Sequence, residues 1–137
     1  MGEGVVMRVF ARTILIVALA LGVAGCYSVI KMPDIASASV YGPNVSSGPL
    51  SQQEVAQLSS WMKAHDAGWR RLVETPPASV TMAIVVHESN GRQSALELFE
   101  SKEGGAMVYF YAPRPALPLV RYVPPADVAA LRTAIDK

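Results

Sequence analysis

From Ile14 to Gly25 the chain is apolar without a break, and the run ends directly before Cys26, the only cysteine. Arg8 and Arg12 precede it and nothing acidic interrupts it. A helix from Thr13 to Gly25 rises about 20 Å, well short of the roughly 30 Å hydrocarbon core of a bilayer. It is equally poor as a core helix, because both arginines precede it and the residues after it are not core-like. The run therefore takes no part in the fold, which must be built from the residues after Gly25. These number 112 of the 137, enough for one domain and not two.

A basic start, an apolar stretch of this length and small residues at its end are the parts of a secretory signal. Val23-Ala24-Gly25-Cys26 resembles the lipobox of bacterial lipoprotein signal peptides, which takes Leu or Val first, then small residues, then cysteine. The resemblance implies cleavage between Gly25 and Cys26, with a diacylglycerol thioether and an acylated N-terminus on Cys26. Two or three acyl chains, at about 0.8 kcal/mol per buried CH₂, hold a protein permanently where one myristoyl chain does not. Tyr27 is not the aspartate associated with inner-membrane retention in enteric bacteria, so the resemblance favours the periplasmic leaflet of the outer membrane. Glu3 is out of character in a basic leader, and Met7-Arg8-Val9-Phe10-Ala11-Arg12 makes a compact one; translation is expected to begin at Met7. Val6 stands where a myristoylation site needs Ser or Thr.

Charge narrows the functions open to the mature chain. Of 12 Lys/Arg and 11 Asp/Glu, Arg8, Arg12 and Glu3 precede Cys26, leaving ten of each. A balanced chain without a basic run argues against nucleic acid and against electrostatic membrane binding. With Cys26 acylated, no thiol remains for catalysis or redox chemistry, and no disulfide can form.

Residues 26–49 read as the lipidated cysteine and a flexible tether. Tyr27 to Pro49 holds three prolines, two glycines and five serines without helical or strand periodicity. As a coil, 23 residues reach about 25–30 Å. The competing reading is that Val29, Ile30, Ile35 and Val40-Tyr41 dock onto the domain or a partner.

Residues 50–137 read as a single α+β domain. Ser51-Gln52-Gln53-Glu54 is a capping box, flanked by Leu50 and Val55 as a hydrophobic staple. Val55, Leu58, Met62, Trp69 and Leu72 share one stripe at 100° per residue, predicting a helix of about six turns that ends before Pro76-Pro77. His65 lies in that stripe and reads as a hydrogen-bonded core histidine; Trp61 lies at its margin and also reads as core. Met82, Ile84 and Val86 alternate with Ala83, Val85 and His87, predicting a strand. Asn90-Gly91 signals a hairpin, and the apolar faces select its loop. A three-residue Ser89-Asn90-Gly91 loop with Gly91 left-handed pairs Ile84 with Leu96 and Met82 with Leu98, whereas a two-residue turn sets Ile84 against Glu97. Met107 to Tyr111 is apolar or aromatic on both faces, as an interior strand is, and Leu119 to Val123 is a short fourth strand. Pro113 to Pro118 reads as a stiff connection. Pro124-Pro125-Ala126-Asp127 opens a last helix with Val128, Leu131 and Ile135 as its stripe.

The expected order is α-β-β-β-β-α: a four-stranded antiparallel meander with both helices on one face. The other face carries Ala83, Val85, His87, Ala95, Glu97 and Phe99, apolar for a soluble monomer, and is the leading surface for a protein partner or a second copy. Val85, His87, Glu97 and Phe99 are its chosen residues.

No nucleophile motif, metal-helix motif or phosphate loop is present. His65, His87 and a carboxylate do not converge from their positions, so neither a metal nor a cofactor is expected. Glu97 and Glu100 fall on opposite strand faces, and His87-Glu88-Ser89 alternate faces, so neither set forms a catalytic group. The expectation is a lipid-anchored binding or scaffolding module of the bacterial envelope, not an enzyme. The alternatives are an inhibitor or immunity protein against a periplasmic hydrolase, offering Ser101–Gly105 or Pro113–Pro118, and a metal- or ligand-binding domain centred on His87.

Overall fold

A computed structural model describes residues 27–71, 79–113 and 118–135. The elements run β1 (Ile35–Tyr41), β2 (Gly48–Pro49), α1 (Gln52–Ala64), β3 (Arg70–Arg71), β4 (Met82–Glu88), β5 (Gln93–Glu100), β6 (Ala106–Tyr111), β7 (Leu119–Val123) and α2 (Pro125–Ile135). They make one antiparallel sheet of order β2-β1-β4-β5-β6-β7-β3, with both helices packed on the same face.

The Ser89-Asn90-Gly91 loop sets the register at the centre of this sheet. Gly91 has φ +84°, its N–H donates to the Glu88 carbonyl at 2.9 Å, and Glu88 N–H donates to Arg92 at 2.8 Å. The Asn90 side-chain oxygen accepts from Arg92 N–H at 2.9 Å, which closes the loop from inside. Met82 pairs with Leu98 and Ile84 with Leu96, as the apolar faces require. β6 lies between β5 and β7, consistent with its two apolar faces.

The core lies between the sheet and the helices. Ile84, Val86, Leu96, Leu98 and Val108 from the sheet meet Leu58 and Met62 from α1 and Leu131 and Ile135 from α2, all at most 1 % exposed. Each such side chain contributes about 1.5–3 kcal/mol by leaving water. The capping box of α1 forms as expected: the Ser51 hydroxyl accepts from Glu54 N–H, and the Glu54 carboxylate accepts from Ser51 N–H at 2.6 Å. Arg132 of α2 ties down to Glu100 at 2.7 Å, both partly buried. Ser94 is the exception in this core: its hydroxyl is buried, the residue being 2 % exposed, and has no partner among the described residues.

The sheet has seven strands, not four, and the three additions come from stretches read otherwise. The segment expected to be a tether supplies β1 and β2. Six residue pairs join β1 to β4, and Ala38 and Val40 enter the core opposite Val86 and Ile84. Further upstream Met32 is buried and Ser89 N–H donates to the Asp34 carbonyl at 2.8 Å. Docking, the competing reading for this segment, holds for Ile30, Ile35 and Val40, whereas Val29 and Tyr41 stay exposed.

The third addition, β3, comes from the expected six-turn helix, which instead stops at Ala64 with His65 as its cap. The cause is competition for the backbone. Trp69 N–H, which in a longer helix would donate to the His65 carbonyl, donates instead to Ser28 at 3.2 Å. Its indole N–H takes over the His65 carbonyl at 2.8 Å. Ser28 N–H in turn donates to the Trp69 carbonyl at 2.6 Å, and Ile30 N–H to Asp66 at 2.9 Å. Leu72 and Pro76-Pro77 lie outside the described residues, as does Arg114 to Leu117 of the proline-rich connection.

Dimensions explain the path of α1. Four strand spacings separate β1 from β7, about 19 Å, and 13 helical residues rise about 20 Å. From β2 to β3 there are six spacings, about 29 Å, and α1 together with the residues that flank it, 50–51 and 65–69, carries the chain from one edge to the other.

Candidate functional site

Pairing puts the expected surface residues on the sheet face away from the helices. One row runs Tyr41, Ala83, Glu97, Tyr109, Val120, Arg70 across six strands. The next runs Ser39, Val85, Ala95, Tyr111, and a third joins Ser37, His87 and Gln93.

This face is not uniform. At the β5–β7 end Phe99, Tyr109 and Val120 form a second apolar cluster, with Val80, Met107 and Tyr111 packed against it. The Phe99 and Tyr109 rings meet at 4.9 Å and 50°. Phe99 is 7 % exposed and thus belongs to a packed layer; of the four chosen residues only His87 is exposed, with Val85 and Glu97 half-buried. Over β1, β4 and β5 the face opens into a shelf floored by Ala83, Val85 and Ala95, all half-buried, with Tyr41 exposed at its margin.

Glu97 sits where the two regions meet. The Tyr111 phenol lies diagonally across from it and donates to its carboxylate. Burial first, then this hydrogen bond, the Glu97 charge and neighbouring Tyr109 push the Tyr111 phenol from its ordinary 10.0 up to about 12.

The two histidines lie on opposite sides of the sheet. His65 is buried at the helix–helix corner: Nδ1 donates to the Trp61 carbonyl at 2.7 Å, Nε2 faces the Asp127 carboxylate at 3.2 Å, and its ring stacks on Trp61 at 4.1 Å. That is the hydrogen-bonded core histidine the sequence predicts. His87 lies on the outer face near the hairpin. Among the described residues no three His, Cys, Asp or Glu side chains group as a metal site would need. The outward position of His87 places it beside Ser37 and Gln93, neither a strong ligand.

A groove of about 530 Å³ opens where the N-terminal segment crosses the β4–β5 hairpin. Lys31, Asp34, Glu88 and Arg92 give it both signs of charge over a floor that includes Met32 and Phe110. Sequence reasoning missed it, because one side of it, Lys31 to Asp34, comes from the stretch read as a tether.

No family model, no curated protein and no solved structure matches this chain. Among the described residues no helix is long and apolar enough to cross a membrane. Gly25, Cys26 and the rest of the leader lie outside the described residues.

Proposed function

We propose that this chain is a lipid-anchored binding or scaffolding module of the bacterial cell envelope, held through an acylated Cys26 and facing the periplasm. The outer membrane's periplasmic leaflet is its favoured site. The observation that carries the reading is the Val23-Ala24-Gly25-Cys26 motif directly upstream of a folded domain. The sheet's open shelf around Val85, bordered by Tyr41 and His87, is the surface offered to a protein partner or a second copy. Its small half-buried side chains let another backbone or a flat side chain approach closely, and its exposed Tyr41 is of the type that anchors interfaces.

The test is affinity capture of the acylated protein from its own membranes, comparing the natural chain with Val85→Arg, and mass spectrometry of what is retained. A partner, or a second copy, is expected with the natural chain and lost with the charged variant. Labelling with an alkyne fatty acid tests the anchor: incorporation is expected in the natural chain and absent in Cys26→Ser. Equal labelling of both would sink the reading.

A further inference from the structure

We propose that the domain stands on the bilayer by its β3 edge, with Tyr27 and Val29 in the headgroup layer and Arg70 and Arg71 facing lipid phosphates. This rests on the reading of Cys26 as the acylated N-terminus. It differs from the tethered arrangement that the composition of residues 27–49 implies, in which the domain turns freely some distance from its anchor.

The chain is fastened from Ser28 onward. Ser28 and Trp69 exchange two backbone hydrogen bonds at 2.6 and 3.2 Å, and Ile30 is bonded to Asp66 at 2.9 Å. Only two residue steps separate Cys26 from Ser28, a reach of about 7 Å at full extension. The interfacial layer on each side of a bilayer is about 5–8 Å thick, the difference between its full and hydrocarbon thicknesses halved. With the lipid-bearing end of Cys26 at the hydrocarbon boundary, Ser28 is held at the top of the headgroups. The β3 edge must come with it, because it is paired with Ser28.

That edge has the side chains a lipid surface takes. Tyr27 is 60 % and Val29 72 % exposed, two of the four exposed large hydrophobic residues among those described. They flank Ser28 on the side away from Ile30 and Met32, which turn inward. Tyrosine favours the membrane interface, where its ring is half wet. The antiparallel bridge sets Tyr27 opposite Arg70, with Arg71 next along the chain. Among the described residues neither arginine has a carboxylate within ion-pair distance. Arg121 joins them: it donates to the Ala67 carbonyl and lies 6.0 Å over the Trp69 ring. Guanidinium groups are suited to phosphate, and each cation at an anionic surface adds to attraction. Asp66 is the one acid in this stretch and is half-buried. The charge balance of the whole chain conceals this edge, which joins the adjacent Arg70 and Arg71 to Arg121, distant in sequence, with Arg70 on the outer face and Arg71 and Arg121 on the helix side. With β3 against the lipid, β2 is the far edge, and the shelf around Val85 faces sideways into open periplasm.

The test uses the purified acylated protein in lipid nanodiscs of phosphatidylethanolamine with phosphatidylglycerol, doped with a gadolinium-chelating headgroup lipid. Amide NMR broadening is expected to be severalfold greater at residues 27–30 and 68–71 than at the β1–β2 edge and the 89–91 loop. Equal broadening at both edges, or a maximum elsewhere, overturns the proposal. Arg70→Glu with Arg71→Glu is expected to cut the broadening at this edge severalfold in these discs and less in phosphatidylcholine discs, where choline offsets each phosphate charge, with the unfolding midpoint unchanged. No change with phosphatidylglycerol overturns the phosphate contact. The N-terminal peptide mass of the same sample separates the two readings. Acylated Cys26 without an edge preference removes this inference alone, whereas an unmodified Cys26 removes both.

Discussion

The indole N–H of Trp61 donates to the main-chain carbonyl of Asp127 at 2.9 Å, while the Asp127 carboxylate faces His65 Nε2 at 3.2 Å. One turn at the end of α1 is thus stitched to the first turn of α2 through two separate groups of one residue. Trp61→Phe keeps a buried ring and removes the donor. It is expected to lower stability by about 2 kcal/mol, a lost hydrogen bond plus a small void, read from urea unfolding.

Val40 distinguishes a docked strand from a linker. It is 0 % exposed and paired with Ile84. Val40→Ala is expected to cost about 2 kcal/mol, whereas in a solvated tether it would cost nothing measurable. Limited proteolysis should likewise spare Ile35 to Tyr41 until the domain unfolds.

Ser94→Ala should stabilise, against the usual direction of core truncations. The hydroxyl is buried and unpartnered among the described residues, so removing it relieves a desolvation cost of about 1–3 kcal/mol while leaving only a small cavity. A denaturant midpoint that falls instead would point to a partner for this hydroxyl.

Gly105 is buried under the exposed ring of Tyr122, and a methyl group there would come within 2.9 Å of the ring carbon Cζ. Because that ring is the far end of an exposed side chain and can swing aside, Gly105→Ala is expected to cost no more than about 1 kcal/mol. Tyr122→Ala in the same chain should recover most of the loss, since the collision is with a side chain; a double-mutant cycle measures the coupling.

The raised Tyr111 pKa gives stability a signature at high pH. Above 10.0 the unfolded phenol loses its proton, while the folded one holds it to about 12. The unfolded state therefore binds fewer protons in that window, and stability must fall with pH across it. Tyr111→Phe should flatten the fall between pH 10 and 12, and Glu97→Gln should bring the Tyr111 titration, followed by ultraviolet absorbance, to lower pH.

The range of the forces involved explains why some elements were readable and others not. The capping box at Ser51, the three-residue loop at Gly91 and the stripe of α2 are each set by residues within a few positions of one another. Alternation then assigned the faces of β4 and β5 correctly. β1 was harder: Ser37-Ala38-Ser39-Val40 does alternate, but its side chains are so small that the pattern hardly differs from a serine-rich linker. The helical stripe of Val55, Leu58 and Met62 extends in sequence to Trp69, which is buried as that spacing predicts but beyond the end of the helix. The groove at Lys31 and Asp34 joins segments distant in sequence, and the adjacent Arg70-Arg71 gave no hint that Tyr27, Val29 and Arg121 would lie beside them.

By itself, then, the amino-acid sequence determined the central hairpin and its register, the capped start of α1, the helix α2 and the face on which both lie, because steric turn requirements, capping and side-chain period act locally. Only the tertiary structure decided where α1 ends and how the stretch before it is used. Both turn on the backbone of Trp69, whose amide can bond within a helix or to Ser28 but not to both. That choice is made by packing across the whole sheet: Met32, Ala38 and Val40 gain burial only when the N-terminal segment lies against the domain.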